Sequence, residues 1–245
     1  MSNKELYSPE GLRLDGRRWN ELKSFTCKVN THQTSSDGSS YVQQGNTKVM
    51  CKVNGPLEPK SKANSNNNNA SITVNLNIAS FSPVERRKRP KSDRRIKEMM
   101  TILEKTFSET VITKLYPRTQ IIVDCYVLSQ DGGILSAVAN SVTLALIDAG
   151  IAMYDFVSSI NVGLYNNSIP ILDLNHLEEG DMSFLTLGIV GKSEKLAMML
   201  LEEKIPFDKL ETLLGIGISG AQRIKDLMDE ELRKHGKLLI STAAS

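Results

Sequence analysis

TQIIVDCYVLSQDGGILSAVANSVTLALIDAG, residues 119–150, carries the clearest fold signal in the chain. The apolar run at 119–128 predicts a buried strand, and an Asp-Gly-Gly turn at 131–133 separates it from a stretch that predicts a buried helix ending at Gly150. A glycine turn between a strand and a helix often presents backbone N–H groups that cradle a phosphate. This stretch therefore predicts an α/β fold and a candidate anion site in the turn.

The composition is that of a folded chain with a sizeable core. The 245 residues are 40% hydrophobic and 24% charged, which is enough for one large domain or two intimate subdomains. The N-terminus lacks the apolar segment of a secretory signal, and no stretch approaches the roughly 18 to 20 apolar residues of a membrane span. We therefore expect a protein that folds in water.

Cysteine and histidine usage gives no metal signature. The cysteines, Cys27, Cys51 and Cys125, are an odd set without C-x-x-C spacing, and the three histidines are far apart. This pattern favours a reducing compartment and predicts no bound metal and no cofactor. Because the net charge is only +2, any attraction for nucleic acid must come from a local patch.

The segments before the quoted stretch predict strands and a loop. Residues 25–53 indicate an antiparallel meander with turns at 37–38 and 45–46, where glycine follows Asp or precedes Asn. Residues 58–70 are polar and rich in Asn, so we expect a mobile loop there. Residues 71–81 alternate apolar and polar side chains, which predicts a strand with one buried face.

A strongly basic run occupies residues 85–95. It leads into a helix that we expect to begin after Ser92 as N-cap and to end at Pro117. Arg94 and Arg95 then lie in the first helical turn, where free N–H groups and the helix dipole also attract anions. The predicted buried face of this helix is Ile96, Met99, Met100, Leu103, Phe107, Val111 and Leu115.

The rest of the chain predicts a second set of strands and a final helix. Strands are expected at 158–165, 168–174, 183–190 and 195–202, and a helix over 207–236. The buried face of that helix is predicted to carry Ile224, Leu227, Met228 and Leu232. The predicted organisation is an N-terminal arm (1–24), a first α/β half (25–155) and a related second half (156–245).

Two further motifs are less specific. GIGISG at 215–220 matches a dinucleotide-binding fingerprint, but a helical pattern precedes it where the fingerprint requires a strand. We therefore expect a glycine-rich connection between helices. Four carboxylates could hold Mg²⁺ or supply a general acid, although we favour a solvated hairpin loop. They are Asp173, Glu178, Glu179 and Asp181.

The basic run has two interpretations, and both stay open at this stage. It can contact nucleic-acid phosphates, in which case binding is sequence-independent and sensitive to salt. It can also be a solvated face or a nuclear-localisation signal. No aromatic residue interleaves with the run, so base stacking is not predicted there.

Five blocks of sequence can be compared together. They are LRLDGRRWNEL (12–22), GSSYVQQGNTKVMCKVNGPLEP (38–59), DRRIKEMMTILEKTF (93–107), LYPRTQIIVDCYVLSQDGG (115–133) and ILDLNHLEEGD (171–181). In this order and spacing they resemble the RNase PH family, and within it the core-ring subunits of the eukaryotic RNA exosome that correspond to the archaeal catalytic subunit. The resemblance extends from about Leu12 to His235.

The resemblance implies a ribosomal-protein-S5-domain-2-like α/β fold with two related halves. Six such subunits form a ring around an RNA channel, and three subunits with S1 or KH modules cap it. Active members perform phosphorolysis, in which inorganic phosphate attacks the 3′-terminal phosphodiester and releases nucleoside diphosphates. This chemistry needs a phosphate site, basic residues for RNA and a carboxylate near the scissile bond. The expected location is the cytoplasm and the nucleus, including the nucleolus.

This sequence departs from the active pattern at two places. Active relatives have Asp-Gly/Ala-Gly-Thr-Arg in the turn, whereas Gly132 and Gly133 are followed here by Ile134 and Leu135. An ungapped count of twelve residues from Asp173, where active relatives carry an acidic residue, gives Leu185. Asp181 falls four positions earlier and is a weak substitute. By contrast, Arg94 and Arg95 match arginines that contact RNA phosphates in the family.

The main hypothesis is a non-catalytic ring subunit that guides RNA to a separate hydrolytic exoribonuclease. Two alternatives stay open: phosphorolysis at a site completed by a neighbouring subunit, and a purely structural ring subunit whose basic run serves nuclear import. The predicted RNA-binding residues are Arg94, Arg95, Lys60, Lys62, Arg86, Arg87, Lys88 and Arg89.

Overall fold

The computed structural model describes residues 8, 11–32, 34–59, 69–86, 93–166 and 169–243. Two sheets, each with its own helices, make a mixed α/β fold in two halves, as the sequence predicts. The expected mobile loop at 58–70 lies mostly outside the described residues. No helix of the described part is long and apolar enough to cross a membrane.

The first sheet has five strands in the order β1-β2-β3-β5-β4. The predicted meander is confirmed, since β1, β2 and β3 pair antiparallel with turns at the expected places. β5 then pairs antiparallel with β3 and parallel with β4, which places β4 at the edge. The strands are β1 (Phe25–Val29), β2 (Gly38–Gln44), β3 (Thr47–Leu57), β4 (Ser71–Ile78) and β5 (Gln120–Ser129).

The second sheet has four antiparallel strands in the order β7-β6-β8-β9. The central strand β6 is buried along nearly its whole length because helices cover both faces of this sheet. The strands are β6 (Val157–Tyr165), β7 (Ile169–Leu172), β8 (Ser183–Val190) and β9 (Leu196–Leu201).

The helix α2 (Ile134–Asp148) lies between the sheets and joins the two halves. Every residue from 135 to 146 is buried. Its polar side chains are paired: Asn140 Nδ2 donates to the Ser159 carbonyl at 3.0 Å, and Thr143 Oγ1 donates to the Val157 carbonyl at 2.8 Å. These bonds satisfy polar groups that burial would otherwise penalise, so α2 fixes the second sheet against the first.

The helix α1 (Arg94–Thr110) packs on the first sheet but differs from prediction at both ends. Asp93, not Ser92, is the N-cap, since its extended backbone lets Oδ1 accept the Arg95 N–H at 3.2 Å. The helix ends at Thr110 because Val111 forms an antiparallel bridge with Met153. Leu115 therefore lies beyond the helix, in a 3₁₀ turn, and is exposed rather than buried.

The helix α4 (Phe207–Ala243) is continuous through the GIGISG motif, so the expected break between helices there is wrong. A Cβ at Gly217 would lie 2.2 Å from Leu187 Cδ2, so the missing side chain lets α4 approach the second sheet. The predicted buried face holds for Ile224 and Met228, whereas Leu227 is exposed. A short helix, α3 (His176–Asp181), completes the fold.

Candidate functional site

The turn between β5 and α2 has a backbone that requires glycine. Gly132 and Gly133 have φ angles of +77° and +63°. A Cβ at Gly132 would lie 2.4 Å from the Leu174 carbonyl oxygen, closer than atoms can approach without displacement. The turn thus keeps a left-handed shape that places the start of α2 against the second half of the chain.

Side chains from the β2–β3 turn and the arm hold this loop from the other side. Thr47 Oγ1 donates to the Gly132 carbonyl at 2.7 Å and accepts the Asp131 N–H at 3.0 Å. Asn46 Nδ2 donates to the Asp131 carboxylate at 2.9 Å, and Lys23 Nζ donates to the Asp131 carbonyl at 2.8 Å. The loop is therefore fixed before any ligand arrives.

A carboxylate of the same chain accepts a hydrogen bond from a backbone N–H of this turn. Glu179 Oε1 accepts the Gly133 N–H at 2.6 Å and Asn161 Nδ2 at 2.8 Å. Burial raises the pKa of Glu179, while the Gly133 N–H, the Lys23 charge, the Asn161 amide and the His176 charge oppose that shift. The backbone donor of the predicted anion site is thus bonded within the protein.

The two positions that follow the turn, Ile134 and Leu135, are both apolar but lie in different surroundings. Ile134 lines a cleft of about 170 Å³ beside the turn. Leu135 is only 5% exposed and belongs to the core cluster of the first half. Neither position supplies the hydroxyl or the guanidinium of the active pattern.

The counted acid position does not face the cleft. Leu185 is fully buried in the cluster beneath α4. Phe184 of β8 lines the cleft, and Phe184 and Thr186 line a smaller adjoining cavity of about 30 Å³. Neighbouring residues of a strand point to opposite faces, which explains why Leu185 is turned away. Asp181 is exposed at the end of α3. The ungapped count from Asp173 therefore gives a core residue, and the cleft-lining positions on β8 carry no carboxylate.

The acidic group is not the solvated hairpin loop that the sequence favoured. Asp173 and Glu178 are each about 1% exposed, and the segment continues into α3. Glu178 forms a buried ion pair with Arg13, whose guanidinium also donates to the Leu172 and Asp173 carbonyls. Burying these carboxylates costs desolvation free energy, and the positive charges of the arm offset it. Without the arm, the carboxylates would have to face water.

Asp173 is a second point where the arm holds this segment. Its carboxylate accepts the Lys23 N–H at 2.9 Å and Gln44 Nε2 at 3.0 Å. Lys23 Nζ lies 3.8 Å from Asp173 Oδ1 and donates to the Leu174 carbonyl at 2.7 Å. Burial lowers the pKa of Lys23, although the charge of Asp173 opposes that effect.

Sequence reasoning missed the part that Arg13 and Lys23 take in this site. Arg13 falls within the block LRLDGRRWNEL and Lys23 directly follows it, so this block carried the available signal. Charged residues are seldom fully buried unless paired, and the sequence does not show with which residue each of the three arginines in this block pairs. The partners, Glu178 and Asp173, lie about 150 residues or more away along the chain.

One of the two predicted RNA-binding arginines of α1, Arg95, lines the same cleft. Arg94 and Arg95 begin α1 and are exposed, and Arg95 lines the cleft with His176 and Phe184. Arg95 also pairs with Glu202 at 3.5 Å, and Arg86 is exposed. The remaining predicted residues lie outside the described part of the chain: Lys60, Lys62, Arg87, Lys88 and Arg89.

The described residues contain no group of three or more His, Cys, Asp or Glu side chains placed to hold a metal ion. Cys51 and Cys125 face each other across β3 and β5 with their sulfur atoms 3.6 Å apart, and both are free and buried. Burial raises the pKa of Cys51 well above its usual value, and Cys125 adds to the effect. Cys51 is therefore a core group with little thiolate character.

The fold, the glycine turn and the arginines at the start of α1 together indicate one class of protein. The profile of the 3′ exoribonuclease family matches residues 21–152 with its first domain and residues 155–220 with its second. The chain therefore belongs to the RNase PH family of 3′ exoribonucleases, as the five sequence blocks predict.

Individual relatives are similar over the whole chain. It is 53% identical to "Exosome complex component SKI6" of Saccharomyces cerevisiae, with 100% of both chains covered. It is 36% identical to human "Exosome complex component RRP41", with 96% of both covered. The crystal structure of rice Rrp46 superposes with a TM-score of 0.81 at 26% identity, covering 90% of this chain and 100% of that one. An Archaeoglobus fulgidus exosome chain, at 21% identity and a TM-score of 0.75, shares the fold, with 89% and 92% covered.

Proposed function

We propose that this chain is a non-catalytic RNase PH-like subunit of an RNA exosome core ring. It helps to assemble the ring and lines the channel that guides RNA to a separate hydrolytic 3′–5′ exoribonuclease. The names of the full-length relatives support the exosome assignment. The geometry of the turn supports the absence of phosphorolysis.

One observation carries the catalytic part of this proposal. The Leu135 side chain is buried in the core, and the Gly133 N–H is bonded to Glu179, so the turn offers phosphate neither a guanidinium nor that backbone donor. A charge-assisted hydrogen bond contributes about 1.5–3 kcal/mol, and this site lacks it. Phosphate would have to bind where the guanidinium of the active pattern is replaced by the apolar side chain of Leu135.

The RNA-binding part rests on charge at the cleft rim. Arg94 and Arg95 are exposed in the first turn of α1, where the helix dipole adds to their attraction for phosphate. Arg86 is exposed and belongs to the same proposed path, and its phosphate contacts would be independent of RNA sequence. Lys60, Lys62, Arg87, Lys88 and Arg89 belong to the proposed path on sequence grounds.

The proposed partners are RNA, the other RNase PH-like ring subunits, cap subunits with S1 or KH modules, and an associated hydrolytic exoribonuclease. The proposed location is the cytoplasm and the nucleus, including the nucleolus. Three free, buried cysteines fit a reducing compartment.

Product analysis tests the absence of catalysis. The assembled ring is incubated with 3′-tailed RNA, with and without inorganic phosphate, and the products are separated by chromatography. We expect no nucleoside diphosphates that depend on this chain. Phosphate-dependent diphosphate release that stops in a ring carrying Asp181→Asn, which removes the candidate acid of this chain, would overturn the proposal.

Protection of RNA by the ring tests the channel role. In an assembled ring, Arg94→Glu/Arg95→Glu is expected to shorten the RNA length protected from an added nuclease and to reduce crosslinking to α1. The matched control is Lys105→Glu, an exposed charge reversal on the same helix that lies away from the cleft. Equal protection by the double variant, the control and the unmodified ring would contradict the RNA path.

A further inference from the structure

The start of α2 is an anion seat that already holds a carboxylate. The Gly133 N–H points out of the helix start, and Glu179 Oε1 lies 2.6 Å from this nitrogen. Asn161 Nδ2 donates to the same oxygen at 2.8 Å. Two donors thus converge on one oxygen of a negatively charged group, as they would on an oxygen of a bound oxyanion.

Several donors offset the cost of burying this carboxylate. α2 is a 15-residue helix, and the free N–H groups at its start carry partial positive charge. Burial raises the pKa of Glu179, whereas the Gly133 N–H, the charge of Lys23 and the Asn161 amide act to lower it. The groups that surround this carboxylate are therefore donors of the kind that hold an oxyanion.

The Glu179 carboxylate is held in the seat by its own helix. Asn175 and Glu178 form a reciprocal capping box at the start of α3, and the Glu178 carboxylate pairs with buried Arg13. Asn175 also receives support from Arg17, whose Nη2 donates to Asn175 Oδ1 at 3.2 Å. Because α3 is fixed at its N-terminus, the Glu179 carboxylate is already held next to Gly133. Little conformational entropy is therefore lost when it accepts the Gly133 N–H.

We infer that Glu179 is an internal anion that occupies the former phosphate seat and excludes inorganic phosphate and RNA phosphates from it. The inference rests on the proposed function for the view that the turn descends from a phosphate site. It adds a residue that determines what the cleft can bind. Leu135 removes one attraction for phosphate, whereas Glu179 already accepts the Gly133 N–H and, when ionised, repels an incoming anion.

A small cavity of about 30 Å³ lies beside the turn, and Gly133, Glu179, Ile134 and Arg95 line it. Removal of the Glu179 carboxylate would enlarge this cavity. Glu179→Ala would leave the Gly133 N–H and Asn161 Nδ2 facing that space, with Arg95 at the edge. An inorganic phosphate ion can then replace the lost acceptor.

Phosphate binding by the full chain tests the inference without RNA or catalysis. Inorganic phosphate is titrated into the unmodified chain, Glu179→Ala, Glu179→Gln and Asp181→Asn, and binding is followed by ³¹P line broadening and by the melting temperature. Asp181→Asn is the control, because it removes an exposed charge of the same sign from the same helix. We expect Glu179→Ala to bind phosphate with a Kd of about 1 mM and at least tenfold more tightly than the unmodified chain or the control.

The expected order of affinity places Glu179→Gln between the control and Glu179→Ala, because its amide oxygen can still accept the Gly133 N–H. This nearly isosteric variant keeps the test valid if Glu179→Ala does not fold. Phosphate should also raise the melting temperature of the Glu179 variants alone. Equal affinities in all four proteins, or no binding by a folded Glu179 variant, would overturn the inference. Neither result depends on diphosphate release, so the proposed function is judged separately.

Discussion

Gly132 shows how strongly one residue constrains the turn. A residue with a Cβ at this position would be strained by the φ of +77°. Its Cβ would also clash with the Leu174 carbonyl oxygen, at a distance of 2.4 Å. We expect Gly132→Ala to lower the free energy of unfolding by about 3 kcal/mol, measured by urea denaturation. Gly16→Ala is the control, since Gly16 has a φ of +79° with no atom within 4 Å of a Cβ. It should cost only about 1 kcal/mol, from strain alone, and equal losses would contradict the clash.

Asp15 contributes to the stability of the fold in a way that depends on pH in the acid range. Burial acts to raise its pKa, but hydrogen bonds from Asn175 and Arg17 and the charges of Arg17 and Arg13 outweigh burial and lower the pKa to about 2 from 3.8. A carboxyl with a depressed folded-state pKa stabilises the fold above its unfolded pKa, and this contribution is lost as the pH falls toward about 2.

We therefore expect Asp15→Asn to melt at a lower temperature than the unmodified chain at pH 6. The difference should shrink between pH 4 and pH 2, as the native carboxyl becomes protonated. Thermal melts at pH 6, 4, 3 and 2 check this. A difference that stays constant over that range would show that the pairing of Asp15 with Asn175 and Arg17 does not set its ionisation.

At the scale of the element, α4 contains two glycines with opposite requirements. A Cβ at Gly217 would lie 2.2 Å from Leu187 Cδ2, whereas a Cβ at Gly215 would meet nothing within 4 Å. Gly217→Ala should lower the free energy of unfolding by about 1–3 kcal/mol through overpacking. Gly215→Ala should raise it by about 0.5–1 kcal/mol, because alanine loses less backbone freedom in a helix. Urea denaturation of both variants checks this pair, and a shift of the same sign in both would refute the packing argument.

Helices and strands were predicted correctly where a local pattern of apolar residues defines them. The prediction was wrong where a residue pairs with a partner that is distant along the chain. The meander, β4, β5 and α2 follow from alternation, turn residues and apolar runs. The end of α1 does not, because Val111 leaves the helix to pair with Met153, a partner that the helical pattern cannot reveal. Counting along the chain to Leu185 likewise does not show which face of β8 this residue occupies.

At the scale of the whole molecule, Lys23 bridges the two halves. Its ammonium donates to the Asp131 carbonyl in the first half and to the Leu174 carbonyl in the second, close to the buried Asp173 carboxylate. Lys23→Met keeps a long side chain but leaves that carboxylate without its cation. We expect a loss of about 3 kcal/mol in the free energy of unfolding, together with faster amide exchange at 131–133 and 172–175.

The control for this bridge is Lys28→Met, an exposed lysine on β1. Its effect should stay within about 0.5 kcal/mol. If both variants have equal stability and equal exchange rates at these two segments, the bridge does not join the halves.

The sequence by itself determined the two α/β halves, the family and the loss of the hydroxyl and guanidinium at Ile134 and Leu135. These features are encoded locally, by the periodicity of apolar residues and by the residue types of a short turn. Only the tertiary structure placed Glu179 on the Gly133 N–H, 46 residues away along the chain, and buried Glu178 against Arg13, 165 residues away. The physical reason is that a carboxylate in sequence can equally face water, a metal or a backbone donor. Which of these it meets is decided by the packing of α3 between the arm and α2.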